Sequence, residues 1–270
     1  MIARRVVKAL SRLTDPLLTS GEGITFLIYH RVGGGTASEV DLPVDDFRAQ
    51  VEYLAEHFDV MSIDDAAREL QSQSVPASTR RQVVITVDDG TADFVDHVVP
   101  ALVEANVPAV LYAATHFIDT ATDFPWGAPP TSWSALRDAT STGLVTVGSH
   151  THSHWLMDRT DVATVATDLD RSIELITTHL GITPRHFAYP KAVVGSAATE
   201  AAVRERFDSA ALARNKVNHP GRADLHRLWR TPVQRSDSPR HFAAKAAGGM
   251  RLEGALRDSM ARWTYRGQTQ

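Results

Sequence analysis

The sequence predicts an α/β protein in which helices cover the outer side of a parallel sheet. Segments with strand character alternate with helical segments along most of the chain, and this alternation is typical of parallel sheets. The β-branched run VVITV at 83–87 has the continuous apolar character of a strand that is buried on both faces. The chain has 270 residues and 43% hydrophobic content. Because a single α/β barrel uses about 250 residues, we expect one domain from residue 21 to 270.

The individual elements follow from hydrophobic periodicity and from the positions of turn residues. Short apolar runs predict strands at 24–29, 83–87, 109–114, 145–148, 186–189, 209–213 and 228–233. Apolar residues at helical spacing predict helices at 44–57, 63–71, 93–105, 132–141, 160–180, 196–207 and 240–263. The segments 72–80 and 119–131 are predicted loops, and the second is rich in Pro and Gly.

Two adjacent carboxylates end the predicted strand at 83–87. Asp88 and Asp89 are followed by Gly90, and a solvated Asp-Gly turn accounts for one acidic residue at this place. It does not account for a second Asp at the tip of a core strand, where α/β proteins carry their ligand-binding loops.

A histidine cluster about sixty positions downstream completes a possible metal site. His150 and His154 are four residues apart, so a helical turn or a tight loop can direct both imidazoles at one cation. Together with one carboxylate they suit a divalent ion such as zinc in a catalytic site, because a coordination position stays open. The chain has no Cys for a closed thiolate site. Taken alone, the cluster is equally compatible with a solvated polar loop.

These two segments resemble motifs of the polysaccharide deacetylases, carbohydrate esterase family 4. The sequence TVDDG at 86–90 is similar to the family's T-F-D-D-G, and HTHSH at 150–154 is similar to H-[ST]-x-x-H. The segment TSWSALR at 131–137 also resembles the family's T-W-x-x-L-R. The resemblance implies a distorted (β/α) barrel of about seven parallel strands. It further implies that Asp88 is the general base, while Asp89, His150 and His154 hold a divalent metal, Zn²⁺ in our interpretation.

The third motif of the family departs from its usual form. Where the family has F-R-x-P-[YF]-G, this chain has FAYPKA at 187–192, although one branch of the family has F-A-Y-P-Y-G. The bracing Arg is therefore replaced by Ala188, the aromatic residue by Lys191 and the Gly by Ala192. We expect Tyr189 and Lys191 to contact substrate here, with the backbone N–H near Lys191 as an oxyanion donor.

The resemblance also implies a general acid and a relocated arginine. The segment LIYH at 27–30 is similar to a family motif that carries the catalytic His, moved to the start of the chain as in a circular permutation. His30 is then the candidate acid. Arg230 is the candidate for bracing Asp88, and a surface arginine is the alternative. Trp126 and Trp133 are candidate sugar-stacking residues, with core packing as the alternative.

The predicted function is metal-dependent removal of an N-acetyl group from an amino sugar in a glycan or glycolipid, releasing acetate. One alternative is hydrolysis of another non-peptide C–N bond, such as a cyclic amide or formamide, on the same scaffold. A second alternative is a glycan-binding protein whose catalysis has decayed, suggested by the three departures in the third motif.

Charge and the N-terminal segment set the remaining expectations. The net charge of −4 gives no basic stripe for nucleic acid, and no apolar run approaches a transmembrane span. Residues 1–20 form a predicted basic amphipathic segment in which Lys8 and Arg12 interrupt any secretory h-region, so we expect a cytoplasmic protein. Peripheral contact with a membrane surface and packing on the barrel are the two interpretations of this segment.

Overall fold

The computed structural model describes residues 23–72 and 79–250. Its strands, in chain order, are β1 (Ile24–Tyr29), β2 (Arg31–Val32), β3 (Asp41–Leu42), β4 (Asp59–Val60), β5 (Gln82–Asp89), β6 (Ala109–Ala113), β7 (Val145–Ser149), β8 (His186–Ala188), β9 (Ser209–Ala213) and β10 (Leu228–Pro232). Its α-helices are α1 (Val44–His57), α2 (Ile63–Gln71), α3 (Val99–Ala105), α4 (Thr115–Thr120), α5 (Trp133–Ser141), α6 (Val162–Leu180), α7 (Ala197–Arg206) and α8 (Pro239–Ala246).

Seven parallel strands close into a barrel. Strands β5 to β10 are neighbours in chain order, and β1 pairs in parallel with both β10 and β5. The first strand therefore lies between the last strand and the strand that carries Asp88 and Asp89. This arrangement confirms the predicted distorted (β/α) barrel, with helices on the outside. It also brings the carboxyl ends of β1, β5 and β10 together at one end of the barrel.

Alternation along the strands decides which side chains face the barrel interior. Ile24 and Phe26 of β1, Val84 of β5 and Leu228 of β10 belong to one buried cluster. In the same cluster, α2 contributes Ile63, Ala66 and Leu70 and closes the end opposite the site. Leu27, Ile85 and Val87 instead join the cluster beneath the outer helices. Because side chains alternate with a period of two, Asp88 and Arg230 fall on the inward-facing register.

The predicted elements agree with the structure except in small details and in the helix predicted at 240–263, which ends at Ala246 and does not continue through 247–250. The helix expected at 93–105 begins as a π-helical turn over Phe94–Val98 before α3 starts. The two-residue strands β2, β3 and β4 were not predicted, and α4 occupies the beginning of the predicted 119–131 loop. Such short pairings carry no periodicity that the sequence can display.

Three predictions fall partly or wholly outside the described residues. The basic segment at 1–20 lies outside them, as do positions 73–78 of the predicted loop at 72–80 and the part of the predicted 240–263 helix from residue 251 onward. Within the described ranges, no helix has both the length and the apolar character needed to cross a membrane.

Candidate active site

A buried ion pair joins the tips of β5 and β10. Arg230 donates from Nη1 to Asp88 Oδ1 at 2.6 Å and from Nη2 to Asp88 Oδ2 at 2.9 Å. Its Nη1 also donates to Thr86 Oγ1 at 3.1 Å. Burial raises the pKa of Asp88, but the charge and hydrogen bonds of Arg230, together with the charges of His150 and His30, leave the pKa below its ordinary value. Asp88 is therefore an ionised carboxylate in a fixed orientation, and Arg230 lies where the sequence predicted.

Asp89 faces the two histidines that the sequence paired with it. Its Oδ1 lies 3.4 Å from His154 Nε2 and 3.7 Å from His150 Nε2. The three ligand atoms lie within 4.8 Å of one another, so one cation could contact all of them. Burial raises the pKa of Asp89, whereas the hydrogen bond with His154 lowers it, and the net pKa is well below the ordinary value. Two nitrogens and one anionic oxygen form a donor set that suits a divalent transition ion.

His150 is oriented by β8, the strand in which Ala188 stands where the family motif has arginine. Its Nδ1 donates to the backbone carbonyl oxygen of Ala188 at 2.8 Å, which leaves Nε2 to face Asp89. Burial lowers the pKa of His150 to about 4, so the imidazole is neutral near pH 7. A neutral ring whose other nitrogen is held by a carbonyl is the usual form of a histidine ligand.

The loop at 150–154, called the histidine loop, has a strained backbone and is held by hydrogen bonds to an acidic side chain. Thr151 and His154 have φ angles of 67° and 57°, in a region that non-glycine residues rarely adopt outside functional sites. Asp168 of α6 accepts hydrogen bonds from the backbone N–H groups of His152, at 2.8 Å, and Ser153, at 3.0 Å. The sequence did not point to Asp168, because a carboxylate within an amphipathic helix has the pattern of a solvated residue.

His30 lies beside Asp88 at the end of β1. Its Nε2 is 4.0 Å from Asp88 Oδ2, and its side chain is partly exposed. The following residues are held by Asp93, whose Oδ2 accepts from Arg31 Nε and from the Val32 backbone N–H, each at 3.2 Å. Arg31 and Asp93 were also missed, since their pairing joins β2 to the segment after β5, 62 positions away. The position expected for His30 is thus observed, while its role as acid stays a prediction.

The two carboxylates Asp88 and Asp89 and their partners line one cavity of about 640 Å³ at the carboxyl end of the barrel. Its wall includes His30, Arg31, Thr36, Ser38, Val40, Asp88, Asp89, Trp126, His150, His154, Lys191, Arg230 and Gln234. Trp126 is 45% exposed and stacks on Phe124 with ring centroids 5.0 Å apart. Its ring also lies 6.0 Å from that of His154. Both Trp126 and Lys191 lie in the cavity wall, and their contact with substrate stays a prediction.

Tyr189 and Trp133 require a correction, because neither lines this cavity. Tyr189 is fully buried and packs edge-on against Phe187 in the cluster beneath α6 and α7. It points outward because Ala188, the preceding residue, faces the barrel interior. Trp133 begins α5 and stacks on His179 at 4.6 Å, packed on the outer core. Both side chains are packing residues.

Comparison with known proteins fits this geometry. Residues 76–207 match the family model described as polysaccharide deacetylase. Over this region, just under half of the chain, the sequence is similar to polysaccharide deacetylases, as its motifs predicted. The match indicates deacetylation of a carbohydrate. A search of curated protein sequences finds no significant match.

Several solved structures share the fold. The structure of IcaB from Ammonifex degensii is 24% identical, with a TM-score of 0.74 over 85% of this chain and 97% of that one. The Streptococcus pyogenes deacetylase PplD, in complex with acetate, is 18% identical, with a TM-score of 0.74 over 84% of this chain and 99% of that one. The de-N-acetylase from Aggregatibacter actinomycetemcomitans is also 18% identical, with a TM-score of 0.69 over 83% and 100% of the two chains. At these identities the likeness establishes the barrel fold alone.

Proposed function

We propose that this protein is a metal-dependent N-deacetylase that hydrolyses the acetamide of an N-acetylated amino sugar in a glycan or glycolipid. The observation that carries the proposal is the different environment of two adjacent carboxylates. Asp88 is held by both Nη atoms of Arg230, whereas Asp89 faces the Nε2 atoms of His150 and His154. A positioned base beside a metal-ligand group is an arrangement that can hydrolyse an amide with an activated water.

The residues present fit a divalent cation, which we take to be Zn²⁺. Asp89, His150 and His154 would hold it, and the neutral state of His150 favours ligation because its Nε2 lone pair is free. When bound, the cation would supply Lewis acidity for the acetamide carbonyl. With three protein ligands, the site keeps room for substrate.

Asp88 and His30 divide the proton transfers in this proposal. Asp88 accepts a proton from the attacking water, and Arg230 keeps the carboxylate ionised and oriented. His30 lies 4.0 Å from Asp88 and donates a proton to the departing amine as the C–N bond breaks. The products are acetate and a free amine on the sugar.

The cavity wall supplies substrate contacts. Trp126 presents an exposed ring face beside His154, suited to the apolar face of a pyranose. The backbone N–H of Lys191 is the proposed donor to the developing oxyanion, at the position where the family resemblance expects it.

The test is acetate release from N-acetylglucosamine oligosaccharides and from a lipid-linked N-acetylglucosamine, using Zn²⁺-loaded protein. We expect acetate and primary amine to appear in equal amounts, with Asp88→Asn as the inactive control. Formate or ammonia from formamide or cyclic amide substrates, without any acetate, would indicate a different C–N hydrolase. Glycan binding without any product would indicate a protein that only binds sugar.

A further inference from the structure

Three cationic side chains line the cavity, and they differ in whether an acidic group neutralises them. Arg230 is paired with Asp88, and Arg31 donates from Nε to Asp93. Across residues 23–72 and 79–250, no hydrogen bond or ion pair holds the ammonium group of Lys191. Its positive charge therefore serves no contact within that part of the chain, although the residue lies in the cavity wall.

The backbone holds Lys191 in an unusual and well-anchored conformation. Lys191 has φ 52° and ψ 19°, and Ala192 also has a positive φ, of 56°. The turn is closed by hydrogen bonds from Ala192 N to Tyr189 O, at 2.9 Å, and from Val193 N to Pro190 O, at 3.2 Å. Tyr189 and Pro190 are both buried. Consecutive left-handed non-glycine residues are uncommon, and such strain is concentrated where the chain clamps a ligand.

The acidic residues of the cavity do not cancel the charge of Lys191. Both oxygens of Asp88 accept hydrogen bonds from Arg230, and Asp89 faces two imidazoles. An anionic group that enters beside Lys191 therefore meets an unpaired cation and two carboxylates that already have partners.

We propose that Lys191 is a specificity-determining residue that recognises an anionic group, a carboxylate or a phosphate, on the substrate near the acetamide. This inference rests on the proposed N-deacetylase function and deepens it, because it names the substrate class. An ammonium on a flexible stem acts as a point charge and tolerates either anion. Because Lys191 is exposed, solvent screening limits the expected preference to about two- to fivefold in kcat/KM.

The experiment compares three N-acetylglucosamine oligosaccharides: a neutral one, one with a uronic acid as the neighbouring sugar, and one with a phosphate monoester there. Wild type, Lys191→Met and Lys191→Arg are assayed for acetate release at low and high ionic strength. Lys216→Met serves as the matched control, since Lys216 lies near the Trp229 ring and does not line the cavity.

We expect wild type and the control to favour at least one anionic substrate, mainly through KM, and to lose that preference at high salt. Lys191→Met should lower kcat/KM for the anionic substrates more than for the neutral one, so that the preference disappears, and Lys191→Arg should restore it. No preference in wild type, or an equal loss on all three substrates in Lys191→Met, would overturn the inference while leaving the deacetylase proposal intact. No acetate from any substrate would overturn the proposed function and this inference with it.

Discussion

At the scale of single residues, the site depends on how each charged group is partnered. Asp88 and Asp89 are consecutive, yet β-strand alternation and the positive φ of Asp89, 75°, direct their carboxylates to different partners. The sequence predicted the separate roles of the two residues from the family motif. It could not show that Arg230 is fully buried against Asp88, because a lone arginine in a strand is compatible with a surface position.

The first prediction separates the two carboxylates. Asp88→Asn should keep bound zinc but lower kcat by about a hundredfold or more, because a positioned general base contributes on that scale. Asp89→Ala should lose zinc, as should His150→Ala and His154→Ala. Metal content by elemental analysis and acetate release on the same samples provide the measurement. Full zinc occupancy in Asp89→Ala would exclude it as a ligand.

The second prediction concerns His30 as the proton donor. His30→Ala should strongly reduce release of acetate from an N-acetyl sugar, because an amine leaves poorly without a proton. It should affect an activated aryl acetate much less, since that leaving group needs little protonation. The two kcat/KM ratios to wild type are compared. Similar losses on amide and ester would show that His30 does not act as the acid.

At the scale of elements, helices on the outside fix the loops that carry the site. Asp168 of α6 binds two backbone N–H groups of the histidine loop, and Asp93 joins the loop after β5 to the segment after β1. Hydrophobic periodicity located α6 but gave no information about its polar face. The same limitation explains why the predicted substrate contact of Tyr189 was wrong. The sequence did not show that Ala188 faces the barrel interior, which directs the next residue, Tyr189, outward.

The third prediction tests Asp168 as a positioning residue. Asp168→Ala should weaken zinc affinity by about ten- to a hundredfold, the scale seen for groups that orient metal ligands. Glu174→Ala is the matched control, because Glu174 lies on the same helix and, within 23–72 and 79–250, pairs with exposed Arg171 and not with the histidine loop. Chelator competition measures the affinity, and thermal unfolding checks the fold. Equal zinc affinity in the two variants would contradict this role.

The fourth prediction is a pH dependence of stability at the junction of α7 and β10. Hydrogen bonds from Arg227, and then from Arg204, lower the pKa of Glu200 to about 2 against burial that raises it. Because the pKa of Glu200 is lower in the folded state, the ionised carboxylate and its arginine partners stabilise the fold. This stabilisation is fully present above the unfolded pKa, about 4.3, and is lost as pH falls towards 2. Glu200→Gln should cost about 1 kcal/mol at pH 7, because the arginines are well exposed.

Thermal unfolding of wild type and Glu200→Gln from pH 7 to pH 2.5 measures this effect. The difference in Tm should shrink as the pH falls below about 4.3. A difference that stays constant over this range would show that the charge of Glu200 does not contribute.

At the scale of the whole molecule, closure of the barrel brings distant segments into one cavity. β1 pairs with β5 and β10, so His30, Asp88 and Arg230 meet although they are far apart in sequence. The alternating pattern and the motifs predicted this barrel because most of its strands are short apolar runs separated by helical segments. The pattern could not separate Trp126, which lines the cavity, from Trp133, which packs on the outer core. Only the three-dimensional position of each loop and helix distinguishes two tryptophans in similar polar surroundings.

The central claim is that one divalent cation in the Asp89, His150 and His154 group is needed for acetate release. Its most direct test is a titration of chelator-stripped protein with Zn²⁺ while acetate release from an N-acetylglucosamine oligosaccharide is monitored. The account predicts no activity without metal, a linear rise to a break at about one equivalent of Zn²⁺ per chain, and no rise in Asp89→Ala. Full activity of the stripped protein, or an unchanged titration in Asp89→Ala, would contradict it.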